Sequence, residues 1–591
     1  MNWTRTFEVL SFQSVHCPNP QALLSRKKKG KWKSLSTEEC LKKRDRYSAA
    51  LLGLGLKKGD RMIVVPELAS VKWILLDMAA QQIGVIVVPV HVTFTPDQFA
   101  HVAQETEAKV AFFSHEEDRI RLLGERGTKM KSYLTHGKKS QENSLSFLAS
   151  IAEDIEDDLL EELRSEIDKD DLSCILYTSG TTGVPKGVML THDNIVSNVK
   201  SALTLLPIAH LKRCLSFLPY SHIFERTTIY GYIASGATLY LPADRDALLF
   251  AFKEARPHYF TAVPRILEKM VETIQIWKVE QNVLIRKTVD WAIEIGKNYK
   301  EGVRVRPFFW FQRQLAKLLV FRRFRHVSGG HVEAIFTGAA YLQPDISRIY
   351  SAAGIKVREG YGMTEASPII TMNRFTPGMF KLGTVGLPIP GVEIKIDEPD
   401  EDGEGEILVK DPNVMKGYYK RPEETARVLS EDGWLRTGDV GKIVKRGFLK
   451  ITDRRKDIFK TSAGKYIAPL VLENHIQRSD FIEQSMIVGF QRPFLTALIK
   501  PNFEMLRYWA SEHQIHWTSP EYMVLNIKIK EKIQEEVDKL NENLPNFQKI
   551  RKFHLFHQEL TPESGLLTNT LKLMRQRIID RFSKDIDGMY K

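Results

Sequence analysis

Tyr177-Thr178-Ser179-Gly180-Thr181-Thr182-Gly183-Val184-Pro185-Lys186-Gly187-Val188 is the stretch on which the reading of this chain turns. It is a loop rich in glycine and hydroxyl side chains that ends in a lysine. Short apolar runs at 174–176 and 188–190 flank it as strands. Gly180, Gly183 and Gly187 open backbone angles that residues with side chains avoid. Such a loop turns its N–H groups toward an anion, while Thr178, Ser179, Thr181 and Thr182 add hydroxyl donors and Lys186 adds a compact charge. That is equipment for a polyphosphate. It differs from the nucleotide loop Gly-x-x-x-x-Gly-Lys-Ser/Thr, where a hydroxyl after the lysine holds magnesium, because Gly187 follows Lys186 here.

Outward from the loop, helical patterns alternate with short β-branched runs from 34 to 389. Strands are predicted at 61–65, 85–90, 109–113, 214–217, 238–241, 259–263 and 334–336. This alternation predicts a layered α/β architecture. Between 391 and 450 the pattern changes to short strands with glycine turns, at 393–396, 405–409 and 448–451, which predicts a β-rich subdomain. The polar run Asp453-Arg454-Arg455-Lys456-Asp457 then separates residues 1–452 from 458–591. The latter part mixes short strands with charged helices such as 526–541, and is expected to be a small α+β domain.

Composition bounds the partners. The chain has 591 residues, enough for several domains, and 43% hydrophobic content, enough for a proper core. Its four cysteines form no CxxC pair, which argues against a disulfide framework or a zinc site and fits a reducing compartment. The start, Met1-Asn2-Trp3-Thr4-Arg5, lacks the pattern of a secretory leader, so a cytoplasmic protein is expected. The apolar stretch 73–90 is broken by Asp77, Gln81, Gln82 and Pro89 and reads as a buried helix followed by a strand. A net charge of +12 favours anionic partners. No nucleic-acid-binding motif is present, so nucleic acid is not expected.

Basic residues greatly outnumber acidic ones between 286 and 325. Pro307 is suited to open a helix there. Phe311, Leu315, Leu318 and Leu319 then share one face, with Arg313 and Lys317 elsewhere. Two readings follow: a basic amphipathic helix resting on the inner face of an anionic membrane, or a helix whose apolar face joins the core and whose basic back is solvated. The run 26–33, with five lysines, reads as a basic hairpin turn.

The loop at 177–188 resembles the phosphate loop of the adenylate-forming enzymes, the superfamily of acyl-CoA synthetases, adenylation domains and luciferases. Further stretches resemble that family's motifs in family order. In Glu333-Ala334-Ile335-Phe336-Thr337-Gly338-Ala339-Ala340, a strand runs into a small-residue turn, which the resemblance places beside adenine. Thr337 stands where the family often has glycine or serine. In Tyr361-Gly362-Met363-Thr364-Glu365, the resemblance implies that the tyrosine stacks on adenine, Thr364 reaches a phosphate and Glu365 binds Mg2+. A hard cation held by one carboxylate plus phosphate oxygens and water is physically sound. Asp439, in Trp434-Leu435-Arg436-Thr437-Gly438-Asp439, is implied to accept from the ribose hydroxyls.

Arg454 is implied to contact the nucleotide, and Lys456 to be the hinge residue within 453–457. The stretch 461–469, with Ser462, Gly464, Lys465 and Tyr466, matches the loop that lines the family's CoA tunnel. Lys572, in the segment 563–575, is the implied adenylation lysine, although Asn569 and Met574 depart from frequent proline and basic positions. His222, in 218–226, matches a His or aromatic position near the acyl pocket.

The resemblance is to the AMP-forming long-chain fatty acid–CoA ligases, of bacterial type, and covers essentially the whole chain. The insertion at 277–330 and the stretches 453–457 and 462–469 point to long chains within the family. The implied fold is a large α/β domain with a β-rich subdomain and a small mobile α+β domain. The implied substrates are fatty acid, ATP and CoA, with Mg2+. Two alternatives stand beside it: a fatty acyl-adenylate ligase that loads a carrier protein, and a non-catalytic lipid-binding scaffold on the same fold.

Overall fold

Strands Val110–Phe113, Tyr259–Ala262 and Ala334–Thr337 are buried along their whole length. Parallel strands covered on both faces require that, and it explains why they read as apolar runs instead of alternating. They belong to two large sheets in a computed structural model. The structure describes residues 2–26, 31–124, 130–178, 185–243, 248–455, 457–462, 465–542, 544–561, 564–567 and 573–591.

The first sheet has seven strands, in the order Gly417–Tyr418, Lys186–Thr191, Leu172–Thr178, Ile86–Pro89, Arg61–Val65, Val110–Phe113 and Lys131–Leu134. Its last five strands pair in parallel, and the two at the other edge pair antiparallel. The second has nine strands, in the order Leu387–Pro388, Ile369–Met372, Lys356–Gly362, Ala334–Thr337, Tyr259–Ala262, Arg213–Leu215, Thr238–Leu241, Leu23–Arg26 and Trp32–Leu35. The expected strands stand within a residue or two at each end. The exception is 448–451, where the strand Phe448–Arg454 runs on past the expected end.

Helices Val71–Gln81, His192–Leu203 and Ile223–Ala234 contribute to an apolar core that also draws on strands of both sheets. Ser70 and Thr191 each cap a helix start by accepting a backbone N–H. An ion pair of Arg226 with Asp77, 2.6 Å, ties two of these helices together, with the Tyr220 and Tyr230 hydroxyls donating to the same carboxylate at 2.9 and 2.7 Å. Breaking one partner of such a pair strands a charge in the core.

The β-rich region is a four-stranded antiparallel sheet, Glu393–Asp397, Gly405–Lys410, Leu435–Val444 and Phe448–Arg454. The last part of the chain builds a three-stranded sheet, Ile482–Val488, Leu495–Pro501 and Ile550–Leu555, flanked by helices such as Ile527–Asn541. Among the described residues, three apolar clusters use only positions up to 451 and two use only positions from 459 on. Polar contacts join these parts. They include Arg286 with Glu512 at 2.6 Å, Asn502 with Glu272 at 2.6 Å, Gln343 with the Gln477 carbonyl at 2.7 Å, and Arg265 with Glu483.

Two expectations need correction. Gly187 does not need a left-handed backbone: a Cβ there would lie 2.7 Å from Ile175 Cγ2 and 3.1 Å from the Tyr177 ring, so its requirement is space. The helix Pro307–Ala316 and the π-helical turn Lys317–Phe321 do not turn their predicted apolar face to the core. Phe311, Leu315, Leu318 and Leu319 are exposed, while Ala316, Val320 and Phe321 are buried. Arg313 points inward, donating to the carbonyls of Ala352 and Ser351 at 3.1 and 3.2 Å, where the helix Pro344–Ala353 ends. Cations suit a helix C-terminus, and this is why basic side chains face the body. The lysines 27–29 lie outside the described residues. The strands beside them, Leu23–Arg26 and Trp32–Leu35, pair antiparallel as a hairpin would.

Candidate active site

The glycine- and hydroxyl-rich loop hangs from the hairpin Leu172–Thr178 and Lys186–Thr191, with Thr178 opposite Lys186. Ser179, Gly180, Thr181, Thr182 and Gly183 lie outside the described residues. Lys186 is held in an ion pair by Glu424 and sits 5.3 Å from the centre of the Tyr418 ring. Tyr418 reaches it because Gly417–Tyr418 adds to the sheet edge against Met189 and Val188. Its hydroxyl donates to Glu365 Oε1 at 3.0 Å. Lysine, tyrosine and glutamate from three separate stretches thus stand in a row.

Glu365 lies on the short turn Thr364–Ala366 and is half-buried. Burial pushes its carboxyl above the usual range, countered by hydrogen bonds from its own backbone and from Tyr418. Its side-chain bond is to a neutral hydroxyl, and among the described residues it has no ion pair. Among the described residues there is no cluster of three or more metal-ligating side chains. A carboxylate with no ion pair among the described residues suits Mg2+ bound by one protein ligand and by substrate phosphates, and does not suit a cage made of protein alone.

The turn after Ala334–Thr337 brings backbone close to backbone. A Cβ on Gly338 would lie 3.0 Å from the Gly360 carbonyl oxygen, and Ala339 adopts a left-handed φ of 68°. Tyr361, on the neighbouring strand Lys356–Gly362, is buried and donates to Asp439 Oδ2 at 2.7 Å. Asp439 faces Arg454 across the pair Leu435–Val444 and Phe448–Arg454, with Arg454 Nε 3.3 Å from Oδ1. These residues, with Thr178, Lys186, Ala340, Gly362, Thr364 and Glu365, line one cleft of about 2030 Å³.

His222 lines the same cleft. It caps the helix Ile223–Ala234, its Nδ1 accepting the Phe224 N–H at 3.3 Å. Ile223 and Phe224 line the cleft beside it, while Glu225 and Arg226 are buried in the core. Glu225 accepts from Ser216 and from Thr261, the latter at 2.9 Å, and burial pushes its carboxyl up to about 7.

Arg454 ends the last strand of the antiparallel sheet, so the polar run 453–457 begins inside a strand. Asp453 is buried and accepts the Leu470 N–H at 3.2 Å, tying that strand to the start of the following part. Arg575 grips Glu473 with two nitrogens at 2.8 and 2.6 Å. Lys456, Gly464 and Lys572 lie outside the described residues. Leu573 and Arg575, close to Lys572 in sequence, line the cleft. Ser462 and Lys465 are not brought to it: the Ser462 N–H donates to the Arg492 carbonyl at 3.1 Å, and Lys465 Nζ lies 5.7 Å from the Phe547 ring centre. Tyr466 belongs to a two-residue strand paired with Phe459–Lys460.

Sequence reading missed Tyr418, Glu424 and Glu359. Tyr418 and Glu424 meet Lys186 only through a long-range strand pairing, which leaves no local spacing to find. Glu359, on Lys356–Gly362, lines the cleft and is buried, and burial pushes its carboxyl up to about 8.

Comparison with known proteins gives a consistent result. The family model described as AMP-binding enzyme matches residues 13–419, and that described as AMP-binding enzyme C-terminal domain matches 456–591. The long-chain-fatty-acid–CoA ligase FadD15 of Mycobacterium bovis is 29% identical over 95% of this chain and 93% of its own length. Long-chain-fatty-acid–CoA ligase 6 of Homo sapiens is 31% identical over 97% of this chain and 84% of its own length. Among solved structures, the adenylation domain of a carboxylate reductase from Mycobacterium chelonae superposes with a TM-score of 0.76 at 22% identity, covering 99% of this chain and 91% of that one. ATP-bound MatB from Rhodopseudomonas palustris gives 0.72 at 22% identity, with full coverage of both chains.

Proposed function

The chain belongs to the AMP-binding enzyme family, and on that premise we propose that it is an ATP-dependent long-chain fatty acid–CoA ligase. The observation that carries this reading is the convergence of Lys186, Glu365, Tyr361, Asp439 and Arg454, from four separate stretches, on one cleft. A fatty carboxylate is a poor partner for an anionic nucleotide. The site must hold both anions and neutralise the charge that develops at the α-phosphate.

The carboxylate oxygen attacks the α-phosphorus, the bond to the β-phosphate breaks, and acyl-adenylate and pyrophosphate form. The sulfur of CoA then attacks the acyl carbonyl, and AMP leaves. Asp439 orients the ribose, and Tyr361 and the 337–340 turn enclose the adenine. The phosphate loop with Lys186 steadies the departing pyrophosphate. Lys572 bridges the carboxylate and α-phosphate oxygens, and His222 borders the acyl group. Mg2+, held by Glu365 and the phosphates, supplies charge neutralisation when bound.

Two bodies, 1–452 and 458–591, turn about 453–457 with Lys456 as the pivot. That turn brings Ser462, Gly464, Lys465 and Tyr466 over the cleft for CoA. The basic stretch 286–325 gives the enzyme a peripheral contact with an anionic membrane, the phase in which its substrate dissolves. Among the described residues no helix is long and apolar enough to cross a membrane.

Incubation of the purified protein with ATP, Mg2+, CoA and a series of fatty acids tests the reading. Equal amounts of AMP and acyl-CoA are expected, greatest for long chains. Pyrophosphate and acyl-adenylate without acyl-CoA would instead indicate an enzyme that loads a carrier protein. No AMP with any acid would defeat the proposal.

A further inference from the structure

The helix Pro307–Ala316 and the turn after it are amphipathic twice over. One face, with Ala316, Val320 and Phe321, packs on the body. The opposite face carries Phe308, Phe311, Leu315, Leu318 and Leu319, a stripe of large apolar side chains in open solvent, where Phe308 is 72% and Leu318 64% exposed. Along the π-helical turn Lys317–Phe321 both leucines lie outside while the next two residues are buried. Soluble surfaces scatter exposed apolar residues singly, and a contiguous stripe marks a surface that meets something else. Trp310, 53% exposed, is of the type that settles at a membrane–water boundary.

Beside Leu318 a hollow of about 340 Å³ opens, walled by Lys317, Arg322 and Arg325 with no acidic side chain in its lining. Burial and the neighbouring Arg313 and Arg325 hold the Lys317 ammonium below its usual range, as expected of cations crowded together. Arg325 reaches the carbonyls of Gly330, Ala353 and Gly354 at 3.3 to 3.5 Å, which fixes one wall of the hollow. Along 286–325 there are eleven basic and three acidic residues. Among the described residues Lys300, Arg304, Arg306 and Arg322 form no ion pair.

We infer that this face is a membrane seat, in which the stripe from Phe308 to Leu319 enters the acyl boundary of one leaflet while Lys317, Arg322 and Arg325 hold the phosphate of an anionic phospholipid. The inference deepens the membrane contact proposed above and rests on it. Charge decides the occupant. A two-fold dimer through the same face would oppose each cationic hollow to its own copy, whereas an anionic leaflet supplies the missing charge along the whole rim.

The test is co-sedimentation of the full-length protein with vesicles of phosphatidylcholine, with and without phosphatidylglycerol. The wild-type protein is expected to sediment with the anionic vesicles and weakly with the neutral ones. Leu318→Gln with Leu319→Gln should lower binding to anionic vesicles roughly tenfold or more, since two buried leucines are lost from the acyl boundary. Arg322→Gln should lower it roughly fivefold, the worth of one cation at a charged surface. Both variants should keep the wild-type melting temperature and the wild-type rate with octanoate, a water-soluble acid, in the absence of vesicles.

Binding of the variants equal to wild type would overturn the seat and leave a membrane contact elsewhere on the chain. No sedimentation of the wild-type protein would overturn both. A wild-type dimer that becomes monomeric in the double variant, without vesicle binding, would assign the face to a second copy and overturn the inference. The octanoate rate reads the ligase proposal by itself, so its failure is distinct from failure of the seat.

Discussion

Glu359 is a buried carboxyl on Lys356–Gly362, a strand paired in parallel on one side and antiparallel on the other, and its titration is coupled to folding. Its folded value, about 8, lies above its ordinary value of 4.5. Between these values the unfolded chain releases a proton that the folded chain keeps, so stability falls as pH rises through that window. Glu359→Gln removes the titration. Its melting temperature should exceed that of wild type by a margin that widens from about pH 5 to about pH 8. A constant margin would show that Glu359 finds a partner when ionised. Lys572 carries a different expectation. Lys572→Ala should slow acyl-adenylate formation at least about a hundredfold, the usual cost of losing one charge-stabilising donor, and leave thioester formation from supplied acyl-AMP intact. Equal loss in both half-reactions would refute the role. Cleft-lining residues such as Asp439 and Glu365 were legible in the sequence because they sit in compact stretches of fixed spacing. Tyr418 and Glu424 were not, because their place beside Lys186 depends on the pairing of residues more than two hundred positions apart.

At the scale of the element, the hairpin Leu172–Thr178 and Lys186–Thr191 flanks the glycine- and hydroxyl-rich stretch, and Gly187 is a tight point in it. A methyl group there meets Ile175 and the Tyr177 ring. Gly187→Ala should cost about 1–3 kcal/mol of stability, the typical price of overpacking, read as a lower urea midpoint. An unchanged midpoint would mean that the Tyr177 ring yields freely. Strands were legible where burial on both faces leaves an apolar run, as at Arg61–Val65 and Thr238–Leu241. The orientation of the helix Pro307–Ala316 was not. Periodicity reports that a helix has an apolar face, and it is silent on which face meets the protein. Here Arg313 and Arg325 turned inward, toward the carbonyls at the end of Pro344–Ala353.

For the molecule as a whole, the proposed turn about 453–457 predicts that Lys456→Pro holds one arrangement of the two bodies, because proline locks φ and removes a backbone donor. One half-reaction should then proceed near its normal rate while overall acyl-CoA formation collapses. Normal turnover would count against a pivot at that position. The run 453–457 was visible as a charged linker, while the strand that extends into it to Arg454 was not, since polar residues pair in an antiparallel edge as readily as they face water. The contacts across the two bodies, from Arg286 and Glu512 to Gln343 and Gln477, are hydrophilic, and among the described residues no apolar cluster crosses between them. Water therefore substitutes for each contact as it opens, and no greasy seam has to be torn. If the two parts turn as proposed, the joint is a wetted bearing, cheap to part and cheap to close, which is what a machine needs if it must swing once for every molecule it makes.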